Sequence, residues 1–598
     1  MRRVLTALCA FALIGAACSG GGGTSTTTEP AELPVATEQP PTTTTATETT
    51  TDPLATTTTE APEPVRGGSV IVADDQEPPT LNPYAPGGDS FIVSIIGQAH
   101  LAGVSDIDAT TLELIPELVV ELPSVGNGGV TVNDDGTMTV RWEIREEALW
   151  SDFFPITGDD LAFTLEFREA MNQCWPDDDF RPEPFQLGGE IETIDAKTIV
   201  IRFDQPGLEY EQLFEWVVPQ HAVAGSDYCE DWNDEMWPAA GPFVVDEWQQ
   251  GEFLRFVRNE WYWKADDTSG EQLPYLDSVE FRFIPDAEML VEAFRARDVD
   301  VIQPPPSPEI IGELEPLAAV GVEVQVLPGP VWEHLNFQFG PNNRNTETLN
   351  EYTAFRQAVA YAIDSEALAA AVGWLPIDSV LDPLGEAGPW AQYSPDITKA
   401  QSLLQEACDA AGHDCAADRP LLVFSTSSNS DERPRIAEKL VGMLGAVGIG
   451  VEIQLEDSQL FFGETLDNGT WDVGWWAWVL TPGATGSLAA LDLFDPDAPP
   501  PDGMNFYRWG TPDSSVQDDA VDRFREVLEI LRGTVDTTEI KSFAAAAEQI
   551  LADNAVIIPV AARRVAGAVW ADEIAGYQLN TSRSAHTWNI ESWHRVDL

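Results

Sequence analysis

Lysine is nearly missing from this chain. Only five occur in 598 residues, at positions 197, 264, 399, 439 and 541, and with the arginines they make 31 basic residues against 100 acidic ones, a net charge of −69. A surface of that sign repels phosphate backbones and anionic headgroups, so nucleic acid is not expected as a partner, and the acidity is read as solvation. Histidine is scarce too. The six, at 100, 221, 334, 413, 586 and 594, include no pair at metal-ligand spacing, and no CxxC accompanies the cysteines, so no metal and no cofactor is expected. GxSxG, HExxH and a Cys/His pairing are all absent, and carboxylate pairs say nothing among so many acids. No catalytic residues are assigned, and the chain is not read as an enzyme. Nor is there an apolar run of the roughly 20 residues that a membrane-spanning helix needs.

The longest apolar stretch stands at the start. Arg2 and Arg3 precede Val4 to Ala17, which is too short to span and ends in small residues, the pattern of a secretory signal. Gly15-Ala16-Ala17-Cys18 resembles the lipobox of bacterial lipoproteins, with Gly15 where that pattern prefers Leu. The resemblance implies that residues 1–18 are a leader and that Cys18 is acylated, and an acyl pair anchors firmly where a single chain binds marginally. Residues 19–65 open on Gly20 to Gly23 and continue in Thr, Pro, Glu and Ala. Such a segment has too little apolar surface to offset its ordering entropy and is expected to be a disordered tether.

The ~530 residues that follow exceed one ordinary domain and predict several lobes. Beyond Cys18, and with Cys9 in the leader, Cys174, Cys229, Cys408 and Cys415 remain. An even number in an exported chain suggests disulfides, with three pairings open.

Strands and helices alternate through this body. Val70 to Val72 reads as a buried strand. Asp134-Asp135-Gly136 is a turn, and Met138, Val140, Trp142 and Ile144 follow it at period two. Thr157 with Asp160 has capping-box spacing ahead of Leu161, Leu165 and Phe167. Thr198 to Phe203 reads as a strand. Asp286 caps a helix with Leu290 and Phe294, which leads into the strand Val299 to Ile302. Ile397 to Ala407 and Ile436 to Leu444 carry helical faces, the second running into Val451, Ile453 and Leu455. Phe543 and Ile550 precede Val556-Ile557-Ile558. This rhythm predicts an α/β chain with helices covering sheets.

In order along the chain stand Gly67 to Val72, Pro79-Thr80-Leu81-Asn82-Pro83-Tyr84, and Leu149-Trp150-Ser151-Asp152 through Asp160. Val218-Pro219-Gln220-His221, Gly241-Pro242-Phe243, Arg258-Asn259, Trp261-Tyr262-Trp263 and Pro274 to Asp277 follow. Phe355-Arg356-Gln357-Ala358 through Asp364, Gly448 to Val451 and Trp471-Asp472-Val473 complete the series. Their colinear order resembles solute-binding protein family 5, the peptide- and nickel-type receptors of ABC importers. The match runs from about Gly67 to Trp593.

That resemblance implies a two-lobed periplasmic-binding-protein-like fold, type II with an extra subdomain, hinged between the lobes. Lobe I is expected over 66–325, with 100–193 as the extra subdomain, lobe II over 326–562, and a return of 563–598 to lobe I. On that architecture Cys174 is expected to pair with Cys229, and Cys408 with Cys415, because each pair then lies inside one lobe. Pro83-Tyr84, Trp150 and Trp261 are read as packing or turn residues. The implied function is an extracytoplasmic receptor on the outer face of the cytoplasmic membrane. It is held there by its lipid anchor alone, monomeric, and passes oligopeptides to permease and ATPase subunits on separate chains.

The implied ligand contacts are Gly87, Gly88, Asp89 and Ser90, then Trp332, Glu333, His334 and Asn336 entering lobe II, and then Trp475, Trp476, Ala477 and Trp478 ahead of Pro482. In many peptide receptors of the family an Asp in the last segment holds the ligand's ammonium. Trp478 occupies its place here, and a buried ammonium without a countercharge is costly. Glu333 is offered as a substitute anion. Trp476 and Trp478 share one strand face and Trp475 takes the other. Two indoles on one cleft face would suit stacking, which makes an oligosaccharide the alternative ligand and a secreted glycoside hydrolase a distant one.

Overall fold

In the computed structural model the described residues are 64–596, apart from 89, 175–188, 234, 306, 346–347, 383–386, 429, 431, 482 and 502. The segment read as a leader, Cys18 and residues 19–63 lie outside the described residues, as do Asp89 and Pro482.

The apolar segments of the sequence meet in one eleven-stranded sheet. In chain order its strands are β1 (Ser69–Asp74), β2 (Phe243–Gln249), β3 (Phe253–Arg258), β4 (Ser278–Phe283), β5 (Val301–Ile302), β6 (Val322–Phe337), β7 (Leu375–Pro376), β8 (Leu421–Ser427), β9 (Gly450–Glu456), β10 (Val473–Val479) and β11 (Ile557–Trp570). Across the sheet they run β9-β8-β10-β6-β11-β5-β1-β4-β3-β2, with β7 pairing on β11. β8 lies parallel to β9 and β10, and β1 lies parallel to β4 and β5. Helices must cross between parallel strands, which is why helical and strand periodicities alternate in the sequence.

Two long strands join these parallel groups. β6 and β11 pair antiparallel from Val322↔Trp570 to Asn336↔Ile557, with slips between Pro328 and Trp332 and between Glu333 and His334. At the first slip a Cβ on Gly329 would stand 2.6 Å from the Val565 side chain and 2.8 Å from the Arg563 carbonyl, so the approach requires glycine. The strand expected over Val299 to Ile302 is shorter, Val301–Ile302. The Asp300 carboxylate accepts from the Ile71 amide at 2.7 Å, a side chain standing where a ladder bond would be.

A second sheet orders Val130–Val132, Met138–Glu143, Thr198–Phe203 and Glu190–Asp195. Met138, Val140 and Trp142 are buried and alternate with half-buried Thr139 and exposed Arg141, as period two requires. Trp142 meets Phe214 edge-on at 5.2 Å. One apolar core runs from this face through Trp332 and Trp476 to Leu528 and Leu551.

Five of the helices are α1 (Phe91–His100), α2 (Gly158–Cys174), α3 (Ala287–Arg295), α4 (Thr353–Ala362) and α5 (Glu432–Val447). Asp286 caps α3, accepting from the Met289 amide at 2.9 Å. Ahead of α2 the Asp160 carboxylate reaches back to the Thr157 amide at 2.8 Å. Tyr84 and Trp150 are buried, as packing residues are. Trp261 is a turn residue: its amide donates to Asn259 Oδ1 at 3.0 Å, and its ring is 47% exposed and lies 4.4 Å from the exposed Phe153 ring. Its neighbours Tyr262 and Trp263 turn inward instead. Disulfides join Cys174 to Cys229 and Cys408 to Cys415. Among the described residues no helix is long and apolar enough to cross a membrane.

Three histidines are buried with depressed pKa values, His100 at about 4 and His334 and His586 at about 3, in each case chiefly through burial. His586 is fully buried, and neither ring nitrogen has a partner among the described residues. A folded pKa below the unfolded ~6.5 means that the stability tied to the neutral ring is complete above pH 6.5 and drains as pH falls toward the folded value. His586→Leu is therefore expected to gain on the parent as pH falls from 6.5 to 4, by about 1.4 kcal/mol per pH unit. Denaturation midpoints of both proteins across that range check this, and a difference independent of pH would refute it.

Candidate functional site

Two of the three segments assigned to ligand contact lie side by side. β6 pairs with β10 in the register Trp332↔Trp478, Glu333↔Ala477, His334↔Trp476, Leu335↔Trp475 and Asn336↔Gly474. The third does not join them. Gly87, Gly88 and Ser90 form the turn that opens α1 after β1, and three strands (β5, β11 and β6) separate β1 from β10 in the sheet. The C-terminal ends of the parallel strands β8 and β10 reach Ser427 and Val479, and in open α/β sheets ligands bind outside such ends.

One face of the β6–β10 ladder is aromatic. Trp332 and His334 lie tilted to each other at 4.5 Å, His334 meets Trp476 at 5.4 Å, and Trp476 lies parallel to Tyr507 at 5.6 Å. Trp471 stands edge-on to Trp476 at 5.3 Å. A Cβ on Gly474 would be 2.5 Å from the Trp476 ring and 3.1 Å from that of Trp471, so this glycine lets the two indoles meet. The Tyr507 hydroxyl bonds Trp478 Nε1 at 2.8 Å and His334 Nε2 at 3.2 Å. Burial keeps that imidazole neutral and raises the Tyr507 phenol far above its ordinary range.

This packing corrects the picture of two indoles lining a cleft. Trp476 and Trp478 do share a face, but Trp476 is 1% exposed and belongs to the core, as does Trp475 on the opposite face. Trp478 alone of the three rings is part-exposed, resting near Phe506 at 6.1 Å.

The other face carries charge. Glu333 is fully buried, and its Oε1 accepts from Arg433 Nη2 at 3.2 Å and from Arg563 Nη2 at 2.6 Å. Arg433 also donates to the Ser427 hydroxyl, and Arg563 lies over the Trp374 ring at 5.4 Å. Burial by itself would raise the Glu333 carboxyl, but the two guanidiniums outweigh it and hold the pKa down to about 2. Glu333 is thus no vacant anion for a ligand's ammonium, because two internal cations already hold it. Asn336 is buried and points its amide at the His334 and Gly474 carbonyls, 3.4 Å away in each case.

Arg433, Arg563, Trp374 and Tyr507 escaped the reading of the sequence. Arg433 sits in a charged run that resembles any solvated helix start, and Arg563 is one of two adjacent arginines. Neither shows its distant partner.

A mixed α/β fold with two parallel groups bridged by long antiparallel strands, and charged and aromatic groups where they meet, is the fold of the solute-binding proteins. The model of the bacterial extracellular solute-binding proteins, family 5 (middle region) matches residues 113–494, and the chain belongs to that family. The oligopeptide-binding protein OppA of Mycobacterium tuberculosis is 22% identical over 485 residues, 74% of this chain and 76% of that protein. The periplasmic alpha-galactoside-binding protein of Rhizobium meliloti is 24% identical over 386 residues, 56% of this chain and 54% of that one. Among solved structures, the periplasmic murein tripeptide binding protein MppA in its unliganded open form has a TM-score of 0.68 at 19% identity, covering 89% of this chain and 99% of its own.

Proposed function

We propose that this chain is the receptor subunit of an ABC importer and captures oligopeptides outside the cytoplasmic membrane for a permease and ATPase on separate chains. The observation that carries the reading is the place of β10. It is an inner strand of the sheet, and its last residues, Trp478 and Val479, emerge part-exposed and exposed where a crevice ligand would lie. Family membership and the oligopeptide-binding relative support the same assignment.

In this reading the lobes are residues 66–325 with 563–598, and 326–562, with 100–193 as the extra subdomain, and β6 and β11 are the hinge strands. Beside the apolar core that both share, Thr485 donates from its hydroxyl to Glu211 at 2.9 Å and Lys541 pairs with Glu113 across the two. Polar latches of this kind exchange readily with water, as opening requires. Cys18 supplies the lipid anchor and residues 19–65 the tether.

Thermal denaturation of the purified chain against tri- to hexapeptides and against α-galactosides tests the proposal. A peptide at 100 times its Kd is expected to stabilise by ~2.7 kcal/mol. Stabilisation by galactosides with none by peptides would replace the ligand class, and turnover of a galactoside would replace the receptor reading altogether.

A further inference from the structure

We infer that Asp74 and Asp75, with the amide oxygen of Gln303, form a subsite at the end of β1 that grips an ammonium group of the bound solute. The inference rests on the receptor reading and adds which chemistry the ligand must carry. The strand registers place this site in the crevice. β5 runs parallel to β1 and pairs Ile302 with Ala568 of β11, which in turn faces Val324 of β6. From the other side β10 ends at Val479, opposite Val331 of β6. Both parallel groups therefore end toward the middle of β6, at positions 324 and 331, seven residues apart. That is roughly 23 Å at ~3.3 Å per residue, the length of an extended peptide of about seven residues. Ligands bind outside such strand ends, and Asp74 is the last residue of β1.

The acid pair has nothing to neutralise it. Asp74 is 4% exposed, Asp75 keeps part of its surface open, and the two carboxyls hydrogen-bond each other. Asp74 Oδ1 also accepts from the Gln76 amide at 3.2 Å. No arginine, lysine or histidine among the described residues acts on either carboxyl. The charges on the elements around them are engaged elsewhere. Arg282 of β4 is bonded to Glu280, Arg295 of α3 to Glu292, and Asp300 ahead of β5 to Arg595. Asp286 caps α3, and Glu77 accepts from Trp248 Nε1 and the Gly251 amide. α1 carries no acid in its first turn, and its one base, His100, stands at the far end.

Gln303 is the independent sign that a donor is missing. Ala73 and Ile302 are register partners, and Asp74 and Gln303 follow them, so these two side chains leave neighbouring strands on the same face. Gln303 is 9% exposed, and its Oε1 is buried without a partner among the described residues. A buried acceptor beside two carboxyls requires a donor that also carries positive charge. An ammonium has three N–H donors and no acceptor, one donor for each of the three groups. In the empty site a proton stands in for it. Burial, and then the charge of Asp75, raise the Asp74 carboxyl well above its ordinary range, and burial raises Asp75 as well. A docked ammonium favours the ionised pair, so its uptake expels that proton. Glu333 does not compete for the cation, because Arg433 and Arg563 already hold it.

The test uses peptides of Ala, Leu and Phe in three forms: a free N-terminus with a central norleucine, an acetylated N-terminus with a central lysine, and an acetylated N-terminus with a central norleucine. Calorimetry on the full chain at about pH 6, where amines are protonated, is run in buffers of low and high ionisation enthalpy. It reads affinity and protons exchanged together. At least one ammonium-bearing form is expected to bind roughly 10- to 100-fold more tightly than the form without one, and to release about one proton. Which of the two gains tells whether the ammonium is the ligand's N-terminus or a side chain. The affinity of that form is expected to rise with pH and to level off once the pair ionises unaided. Asp75→Asn is expected to abolish both the gain and the proton release. Three forms binding alike, or proton release that survives Asp75→Asn, would overturn the subsite and leave the receptor reading standing. Binding by none of the three would overturn both. The comparison on the unaltered chain decides the point even if the variant fails to fold.

Discussion

Trp476→Ala is expected to cost about 3–5 kcal/mol of stability. Its ring is 1% exposed, parallel to Tyr507 and edge-on to Trp471, with His334 at 5.4 Å and Phe461 at 6.3 Å. Removing it opens a cavity that these rings cannot close, since Gly474 already brings the backbone against them. Trp478→Ala forms a contrast. That ring is part-exposed and loses chiefly its bond to the Tyr507 hydroxyl, so the cost is expected to be about 1 kcal/mol. Ligand binding should suffer more from Trp478→Ala, because this ring alone of the three indoles reaches the end of the strand. Chemical denaturation of both variants checks the order. Equal and small losses would mean that Trp476 is not a core residue.

Arg356→Leu is expected to destabilise by about 3 kcal/mol or more. Its guanidinium is fully buried and is held by oxygens: the Asn554 carbonyl at 2.9 Å, the Asn350 carbonyl at 2.8 Å, the Glu351 carbonyl at 3.2 Å and the Thr353 hydroxyl at 3.0 Å. Burial lowers the guanidinium to about 10, so it stays charged at neutral pH. A leucine fills part of the volume and leaves those oxygens dry and unpaired. Arg356→Lys keeps the charge but cannot span the same acceptors with one ammonium, and an intermediate loss is expected. Denaturation midpoints rank the three proteins. A leucine variant as stable as the parent would show that water replaces the guanidinium without penalty.

Arg356 belongs to one of the segments that carried the family resemblance, and its environment explains what the segment does: one side chain ties α4 to the loop before it and to Asn554, 198 residues on. The resemblance marked the position without stating whether it serves ligand or fold. The same ambiguity held for Trp150 and Trp261. Both stand in motif segments, and one is buried while the other is half exposed.

What the sequence determined by itself is what neighbouring residues decide among themselves. Period two put Met138, Val140 and Trp142 on one face, and the same backbone rule placed Trp476 beside Trp478 and opposite Trp475. An Asp before an apolar helix became its cap at Asp286. The order of motifs placed the chain in its family. Tertiary structure decided which of those faces meets water and which charges are already satisfied. Tyr507, 29 residues past Trp478, bonds that indole and covers Trp476. Arg433 and Arg563, 100 and 230 residues beyond Glu333, claim its carboxylate. Backbone geometry repeats every few residues and is written locally. Burial and electrostatic pairing depend on whichever distant groups the sheet brings within a few ångströms, and no spacing in the chain encodes that distance.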